Sequence, residues 1–357
     1  MERALQLAQK GIGRVNPNPL VGAVIVKNNK IIGEGYHECY GEAHAERNAV
    51  KNAIKSVEGS TIYVTLEPCA HYGKTPPCVD LLIEKKFKKV VIGMLDPNSL
   101  VAGKSIKKLK EHGIEVIVGV KEEECKKINE IFNKYITTKI PFVILKSGMS
   151  LDGKIATYTG KSKWITSKES RQDSQNLRNR VNSIMVGVNT VISDNPELTC
   201  RINDHKKLIR IVVDTTLRIP MNSKVITNND KLTIVATTIN SDEKKKQELR
   251  DLGIKVLEVS EKKNKVDLKE LIKELGNEGI DSILIEGGGT LNFSALEEKI
   301  VDKVIFYIAP KIIGGEKSKN SIAGMGFSEL EEAPSLKDIS YRKIGEDLVI
   351  EGYINKN

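Results

Sequence analysis

The sequence predicts an α/β protein built from two domains. Its 357 residues provide for about two domains of the usual ~150 residues each. Short β-rich runs alternate with helical patterns, which is typical of a layered α/β sheet. A charged amphipathic helix ends near Lys139, and Pro141 directly precedes a new strand that begins at Phe142. We therefore expect one domain over residues 1–141 and a second over residues 142–357.

The first domain is predicted to be a sheet with helices between its strands. The apolar runs 21–26 and 31–36 flank the sequence KNNK, which is a hairpin signal. Small residues recur on one helical face of the segment 44–55. In chain order, the predicted elements are a helix at 2–10, strands at 21–26 and 31–36, a helix at 44–55, strands at 61–66, 89–94 and 114–118, and a helix at 122–135.

The second domain repeats the alternation. Its predicted elements are a first strand at 142–145, a helix at 167–180, and strands near 183–188, 208–213, 232–236, 254–258, 281–285 and 302–309. The sequence ILIEGGGTL at 283–291 indicates a strand, a glycine-rich turn and a helix. Residues 187–195 are expected to form a similar passage from a strand into a loop. Loops at the carboxyl ends of strands are where α/β sheets bind ligands.

Composition excludes several classes of protein. No run approaches the ~20 apolar residues that cross a bilayer, and the N-terminus has no continuous apolar segment of the secretory type, so we expect a cytoplasmic protein. An odd number of cysteines, five, indicates free thiols or a metal site. The net charge of +9 suits an anionic partner, either nucleic acid or a phosphorylated small molecule. Aromatic residues make up only 4%, which leaves few rings to stack on bases and favours solvated lysine runs.

A metal site is predicted from His44, Cys69 and Cys78. One imidazole and two thiolates form a soft donor set that suits Zn²⁺ and leaves a fourth position for water. Zinc lowers the pKa of such a water, and Glu46 is placed to move a proton from it to a leaving amine. This is the arrangement of zinc nucleobase deaminases. Taken singly, His44 could be an ordinary helix-start residue and the two thiols a buried pair or a structural clip.

The spacing of the two thiols departs from the usual Cys-x-x-Cys of these deaminases. Eight residues separate Cys69 from Cys78, and they include His71 and Lys74. Both side chains are able to contact a phosphorylated or highly polar substrate. Cys39 and Cys125 lie outside the pattern, and we expect them to serve in packing.

Several strings resemble the family of bifunctional riboflavin-biosynthesis deaminase/reductases. They are NPNPLVGA at 16–23, GYH at 35–37, HAE at 44–46, EPCAHYGKTPPC at 67–78, SLDGKIA at 150–156 and WIT at 164–166. The resemblance covers nearly the whole chain. It implies a cytidine-deaminase-like three-layer α/β/α domain followed by a dihydrofolate-reductase-like α/β domain.

The resemblance implies two reactions. The first is zinc-dependent hydrolytic deamination of 2,5-diamino-6-ribosylamino-4(3H)-pyrimidinone 5′-phosphate, in which Asn18, His37, His71 and Lys74 would hold the substrate. The second is NADPH-dependent reduction of the ribosyl group, which gives 5-amino-6-ribitylaminouracil 5′-phosphate. It also implies a homo-oligomer, because members of the family associate through the reductase half.

The second domain lacks the G-x-G-x-x-G pattern of a Rossmann site. Its triple glycine exposes backbone N–H groups that can bind phosphate, although such a run is more often only a tight connection. The resemblance implies an NADPH site lined by Gly148, Trp164, Thr190, Asp194, Gly288, Gly289, Thr290, Leu291 and Asn292. It implies substrate contacts from Lys146, Ser162, Thr166, Arg178, Leu198, Arg201 and Glu286. From the residues alone, Trp164 could equally be a core or rim aromatic, and Arg178 a solvated charge.

Two other functions remain open at this point. The first domain could be a nucleic-acid-editing deaminase or a deaminase of nucleosides, for which binding of RNA in a salt-dependent way would be diagnostic. The chain could instead be a zinc-stabilised binding module, in which Glu46 is only a carboxylate at a helix start. The long insertion between the thiols, the scarcity of aromatic residues and the large second domain count against the first of these, whereas the second predicts that Glu46→Gln leaves function intact. We expect no nucleic-acid or membrane partner.

Overall fold

The computed structural model describes residues 1–70, 72, 76–98, 102–203 and 206–355. His71 and Lys74, two of the expected substrate residues, lie outside these ranges. The chain divides into two compact units, Met1–Lys139 and Ile140–Asn357. No helix among the described residues is long and apolar enough to cross a membrane.

The first unit is a mixed sheet with helices on both faces. Its strands run in the order β2-β1-β3-β4-β5, where β1 is antiparallel to β2 and β3, and β3, β4 and β5 are parallel. In the described part of this unit the helices are α1 (Glu2–Gln9), α2 (Ala45–Lys51), α3 (Cys78–Glu84), α4 (Lys104–Glu111), α5 (Glu122–Ile128) and α6 (Glu130–Thr138), and the strands are β1 (Gly22–Lys27), β2 (Lys30–Tyr36), β3 (Thr61–Leu66), β4 (Lys89–Met94) and β5 (Glu115–Val118).

Alternation of side chains along the strands produces the three layers. Ala23 and Ile25 of β1 pack with Ala49 of α2 and with α3 and α4 in one buried cluster. Val24, between them in sequence, packs on the other face with Leu7 of α1. Since successive side chains of a strand point to opposite faces, a strand with both faces apolar needs a helix layer on each. The three-layer α/β/α fold is confirmed for this unit.

The predicted single helix at 122–135 is two helices. The backbone breaks at Asn129, which has φ −103° and ψ 17°. The break places the buried Asn129 amide against the backbone of Leu20, which donates to Oδ1 at 2.8 Å and accepts from Nδ2 at 3.0 Å. Residues 16–20 precede the first strand, so this pairing fixes the loop that carries Asn18.

The second unit contains a larger sheet, in the order β11-β10-β9-β8-β14-β6-β15-β18-β17. Pairing is parallel from β11 to β15, and antiparallel for β15-β18 and β18-β17. Its described strands are β6 (Phe142–Ser150), β7 (Lys154–Ala156), β8 (Ser183–Gly187), β9 (Ile209–Val213), β10 (Thr233–Thr238), β11 (Lys255–Val259), β12 (Glu261–Lys262), β13 (Lys265–Val266), β14 (Ser282–Ile285), β15 (Lys303–Ala309), β16 (Lys319–Asn320), β17 (Leu336–Ile344) and β18 (Asp347–Ile354).

Helices cover this sheet and place loops at the carboxyl ends of its strands. They are α7 (Lys168–Arg180), α8 (Val188–Asp194), α9 (Lys224–Thr227), α10 (Glu243–Asp251), α11 (Leu268–Asn277) and α12 (Gly289–Glu297), with a 3₁₀ turn at Leu330–Glu332. The central strands β8 and β14 are buried nearly throughout, which explains their continuous apolar sequences. Because β6, β8 and β14 are neighbouring parallel strands, the segments that follow them meet at one edge of the sheet.

The structure corrects one prediction for the second unit and adds a hairpin to it. Residues 188–194 form the helix α8 rather than a loop, and its short length of 7 residues explains why its periodicity was too weak to indicate a helix. The C-terminal hairpin of β17 and β18 was not predicted. Most of β17 is exposed, so it lacks the apolar alternation that marks a half-buried strand.

Candidate active sites

The metal donors predicted from the sequence converge in the first unit. Nδ1 of His44 lies 3.5 Å from Sγ of Cys69 and 3.4 Å from Sγ of Cys78. These atoms, one from each residue, all lie within 4.8 Å of one another. Ligand atoms bound tetrahedrally to zinc at about 2.0–2.3 Å lie about 3.5 Å apart. The spacing and the soft donor set therefore both fit a zinc ion with three protein ligands.

Local structure brings the three donors together. His44 caps α2, Cys78 begins α3, and Cys69 follows the end of β3. The helix α2 approaches β2 closely at Gly35, where a Cβ atom would lie 2.2 Å from the backbone nitrogen of Ala49. Only glycine permits this approach, which sets the position of His44 relative to the sheet.

Hydrogen bonds to the Cys69 sulfur favour its thiolate form. The backbone N–H of Cys78 donates to this sulfur at 3.2 Å. The Cys78 thiol also donates to it, and this hydrogen bond lowers the pKa of Cys69 and raises that of Cys78, while His44 lowers the pKa of Cys69 further. The two sulfurs therefore share a proton, which a metal ion would displace because it binds thiolates.

Glu67 anchors the segment that carries Cys69, and sequence reasoning gave it no role. Its carboxylate is nearly buried and accepts hydrogen bonds from Ser105 Oγ at 2.7 Å and from the Gly103 and Asp96 backbone nitrogens at 3.1 and 3.3 Å. These bonds join the end of β3 to the start of α4. The Glu-Pro that directly precedes Cys69 is the sequence signal for this anchor.

Glu46 lies in the first turn of α2, two residues after the metal donor His44. It is 3% exposed, and burial raises the pKa of its carboxyl, as does the nearby Cys69 sulfur. A carboxyl with a raised pKa can carry a proton at neutral pH and release it again, which is what a proton shuttle requires.

Asn18 and His37 are joined to each other close to the metal donors. Asn18 Nδ2 lies 3.1 Å from His37 Nε2, and His37 Nδ1 lies 3.2 Å from the Ala43 carbonyl oxygen. The carbonyl can only accept, so Nδ1 carries the proton and Nε2 accepts from Asn18. Burial lowers the pKa of His37, which keeps the ring neutral. The His37 ring also stands edge-on to His44, with centroids 5.6 Å apart.

The second unit contains a cavity of about 800 Å³ at the carboxyl edge of its sheet. Many of the residues expected there line it: Lys146, Gly148, Ser162, Trp164, Thr166, Thr190, Asp194, Glu286 and Gly288 to Asn292. Arg178, Leu198 and Arg201 do not. Leu198 is buried, and Arg201 is exposed with its backbone N–H bonded to Gln175. Sequence reasoning missed further polar lining residues, namely Arg171, Asn189, Thr215, Arg218, Lys265 and Asn320.

The glycine-rich turn forms the middle of the cavity wall. Gly287 and Gly288 have φ values of 141° and 79°, which side chains other than glycine rarely adopt. A Cβ atom on either would lie 3.4 to 3.5 Å from Thr190 Oγ1, so the turn lies directly beside α8 in the cavity wall. The turn opens the N-terminus of α12, whose free backbone N–H groups favour a phosphate.

Trp164 lies at the rim of the cavity rather than in the core, and Arg178 lies in a nearly buried ion pair rather than in solvent. Trp164 is 62% exposed at the cavity rim, and the Arg171 guanidinium stacks 4.2 Å from its ring centroid. Arg178 is 15% exposed and forms a two-fold ion pair with Glu286, at 2.8 and 3.1 Å. It also donates to the Thr199 carbonyl at 2.8 Å, so it is not a solvated charge.

The charges beside the cavity are arranged around Glu286. Burial opposes its negative charge, but Arg178 and Lys146 outweigh this and lower the pKa of Glu286. Burial lowers the pKa of Lys146, and the Glu286 carboxylate partly offsets that effect. The cavity wall thus combines a fixed carboxylate with an ammonium group that can give up its proton.

Sequence profiles of two families match the chain. The profile described as the RibD C-terminal domain matches residues 141–350, and the cytidine and deoxycytidylate deaminase zinc-binding region matches residues 1–94. The riboflavin biosynthesis protein RibD of Actinobacillus pleuropneumoniae is 48% identical over 351 residues, which cover 98% of this chain and 93% of the relative.

Solved structures of similar proteins align over almost the full chain. Acinetobacter baumannii RibD has a TM-score of 0.87 at 36% identity, covering 99% of this chain and 98% of the other. A Thermotoga maritima protein described as a diaminohydroxyphosphoribosylaminopyrimidine deaminase/5-amino-6-(5-phosphoribosylamino)uracil reductase has a TM-score of 0.85 at 38% identity, covering 99% and 97%.

Proposed function

The chain belongs to the RibD family of riboflavin-biosynthesis enzymes, and from this we propose how its residues divide the two reactions. It is an enzyme of both kinds, a zinc-dependent deaminase and an NADPH-dependent reductase. The first unit carries the deaminase and the second the reductase. The substrates are those named for the Thermotoga maritima relative, a phosphoribosylated diaminopyrimidine and then the deaminated uracil derivative.

We assign the deaminase to the first unit on one observation, the convergence of His44, Cys69 and Cys78 beside the buried Glu46. His44, Cys69 and Cys78 would hold a zinc ion, which would activate the attacking water by lowering its pKa. Glu46 takes the proton of the attacking water and delivers it to the leaving amine, so ammonia departs and the ring gains oxygen. Asn18 and the neutral His37 orient the pyrimidine, with His71 and Lys74 completing its binding.

We assign the reductase to the cavity of the second unit. The glycine turn at 287–289 and Thr190 hold the cofactor phosphates, while Gly148 leaves room for the nicotinamide near Thr166. Gly288 to Asn292, Trp164 and Asp194 complete the cofactor wall. Glu286, Ser162 and Thr166 serve the substrate side, and Arg178 fixes the Glu286 carboxylate from behind the cavity wall.

Reduction adds two hydrogens to the ribosyl group, and the protein must supply one of them as a proton. The bond between C1 and the ring oxygen breaks, and the ring oxygen takes a proton to become a hydroxyl. NADPH held by the residues of this cavity would supply the hydride that C1 gains. Lys146 is the proton donor in this proposal, because its ammonium faces the cavity and burial lowers its pKa. Glu286 keeps the ammonium oriented by its charge.

The proposal includes a cytoplasmic location and a homo-oligomer. In support of the first, all five cysteines are free in the structure, as suits a reducing compartment. In support of the second, the edge strand β17 exposes Ile339 and Tyr341, at 59% and 79%. Light scattering of the purified protein measures the oligomeric state directly.

The test of the two-step function is mass spectrometry of the diaminopyrimidine ribosyl phosphate in ¹⁸O-labelled water. We expect exchange of the amine for labelled oxygen without NADPH, and a gain of two hydrogens once NADPH is added. Glu46→Gln should block the first change and Lys146→Met only the second. Folded, zinc-loaded protein that leaves this substrate intact but deaminates cytidine or RNA would contradict the proposal.

A further inference from the structure

The Lys146 ammonium has an unusual environment for a buried charge. Among the described residues it forms no hydrogen bond and no ion pair within 4 Å, and the contact recorded for it is with the Tyr307 ring, whose centroid lies 5.3 Å from Nζ. Glu286, Arg178 and Asp173 influence it only through their charges. The Tyr307 ring face favours the charged form of this lysine by direct contact, in addition to the attraction of the Glu286 and Asp173 charges.

Tyr307 is placed for this contact by strand register. It lies on β15 opposite Gly148, while Lys146 lies two residues earlier on β6 opposite Ile305. A Cβ atom at Gly148 would lie 4.0 Å from Lys146 Nζ and 3.2 Å from Cγ2 of Thr166, so glycine leaves room for the ammonium beside the Tyr307 ring. Tyr307 has no exposed surface and does not line the cavity, so it does not touch substrate or cofactor.

The hydroxyl group of Tyr307 is hydrogen-bonded to Asp173, which in turn pairs with Arg342. Its hydroxyl donates to Asp173 Oδ2 at 2.6 Å, and the same oxygen accepts from Arg342 of β17 at 2.9 Å. Burial and the Asp173 carboxylate raise the pKa of Tyr307, so the ring remains a neutral phenol. A phenol that donates to a carboxylate carries more electron density in its ring, which strengthens attraction for a cation on its face.

We propose that Tyr307 is a positioning residue of the reductase, which holds the Lys146 ammonium at the cavity wall in its charged form, and that Asp173 reinforces this hold through the phenolic hydrogen bond. The inference rests on the proposed function, in which Lys146 donates the proton. It adds two residues behind the cavity wall, the buried Tyr307 of β15 and the half-buried Asp173 of α7, that control the pH range over which the donor is charged.

The test is the pH profile of single-turnover reduction for Tyr307→Leu, Tyr307→Phe and Asp173→Asn. Loss of the aromatic face lowers the pKa of Lys146. The alkaline limb of the profile, where activity falls as the pH rises, therefore moves to lower pH. For Tyr307→Leu we expect a shift of about one pH unit, with binding of NADPH unchanged. Tyr307→Phe keeps the ring and should restore most of the wild-type profile, and Asp173→Asn should shift it less than Tyr307→Leu.

A matched control is available in the same sheet. Lys303 Nζ lies 5.0 Å from the Tyr353 ring centroid, and neither residue lines the cavity. Tyr353→Leu removes the same kind of contact and should leave the alkaline limb in place. If Tyr307→Leu does not fold, Tyr307→Met takes its place, because methionine fills more of the buried volume and still has no aromatic face.

The outcomes separate this inference from the proposed function. If Lys146→Met retains full reduction, the proton-donor role itself fails. If Lys146→Met abolishes reduction but neither Tyr307→Leu nor Asp173→Asn moves the alkaline limb, Tyr307 is only a packing residue and the inference is overturned. Equal profiles for Tyr307→Phe and Tyr307→Leu would also overturn it.

Discussion

His44 and Glu46 lie two residues apart, and we assign metal binding to the first and proton transfer to the second. His44 is the helix cap and a metal donor, whereas Glu46 lies in the first turn and is buried. It is not among the three grouped donors, although it is close enough to the Cys69 sulfur for that charge to raise its pKa. The carboxyl is therefore free for proton transfer while the ion is held by other groups.

Replacement of Glu46 tests this division of roles. Glu46→Gln keeps the size of the side chain but removes the group that accepts a proton. We expect the deamination rate to fall by at least about 100-fold, the usual contribution of a positioned acid–base group, with zinc content unchanged. Metal analysis and the initial rate of ammonia release measure the two effects, and a parallel loss of zinc would assign Glu46 to the metal instead.

The ion pair of Arg178 and Glu286 is expected to contribute to the stability of the folded protein. Glu286 has a lowered pKa in the folded protein, so its contribution to stability is present above the ordinary pKa of a carboxyl and is lost as the pH falls through the folded value. Arg178→Ala leaves Glu286 buried without its partner. We expect a cost of about 3 kcal/mol in the free energy of unfolding at pH 7, which becomes smaller in acid.

Urea denaturation at pH 7 and at acid pH measures this cost. The exposed pair of Lys255 and Glu278 serves as the control, because Glu278→Gln should cost less than about 1 kcal/mol. Arg178→Ala should also lower reduction while leaving deamination intact. An equal loss of both activities would remove Arg178 from the reductase site.

At the scale of elements, Asn129 at the break between α5 and α6 holds the loop of residues 16–20, which carries Asn18. Asn129→Ala would leave the N–H and the carbonyl of Leu20 without their side-chain partner. We expect a loss of about 2 kcal/mol in stability and a higher KM for deamination, since Asn18 loses its support. Thermal unfolding and substrate titration measure both, and unchanged KM would show that the loop holds its shape without Asn129.

The sequence predicted most elements whose apolar pattern is set by burial. The strand, glycine turn and helix at 282–297 were expected from apolar residues and three glycines, and the structure has them. The helix break at Asn129 was not predictable, because its cause is the backbone of Leu20, which is 109 positions away. Likewise, β17 is exposed along most of its length and is stabilised by pairing with β18 rather than by its own pattern.

The candidate sites show the same difference between features set by residue type and spacing and features set by contacts distant in sequence. The three metal donors were predictable because their chemistry is carried by residue type and spacing. Tyr307 was not, since a buried tyrosine in an apolar strand reads as core, and only the register of β6 and β15 places its ring below Lys146. Glu67 was missed for a related reason, as its partners at 96, 103 and 105 are supplied by the fold.

At the scale of the whole molecule, the metal donors belong to one compact unit and the cavity to the other. Removal of the metal with a chelator should therefore abolish deamination and leave reduction of the deaminated intermediate unchanged. Cys78→Ser should have the same effect permanently, whereas Cys200→Ser, in the second unit, should not change zinc content. Loss of reduction on chelation would show that the two units do not fold independently.

The pairing of β6 with β15 also has a consequence for synthesis on the ribosome. The first unit is complete once Lys139 has emerged, and its donors can then take up metal. The second begins with β6, but Val143 bonds to Asp302, 159 positions later, and Tyr307 follows still further on. At a translation rate of roughly 10 residues per second, the strand bearing Lys146 waits about 15 seconds for its partner. A nascent chain thus carries a complete metal site well before the cavity of the second unit can form.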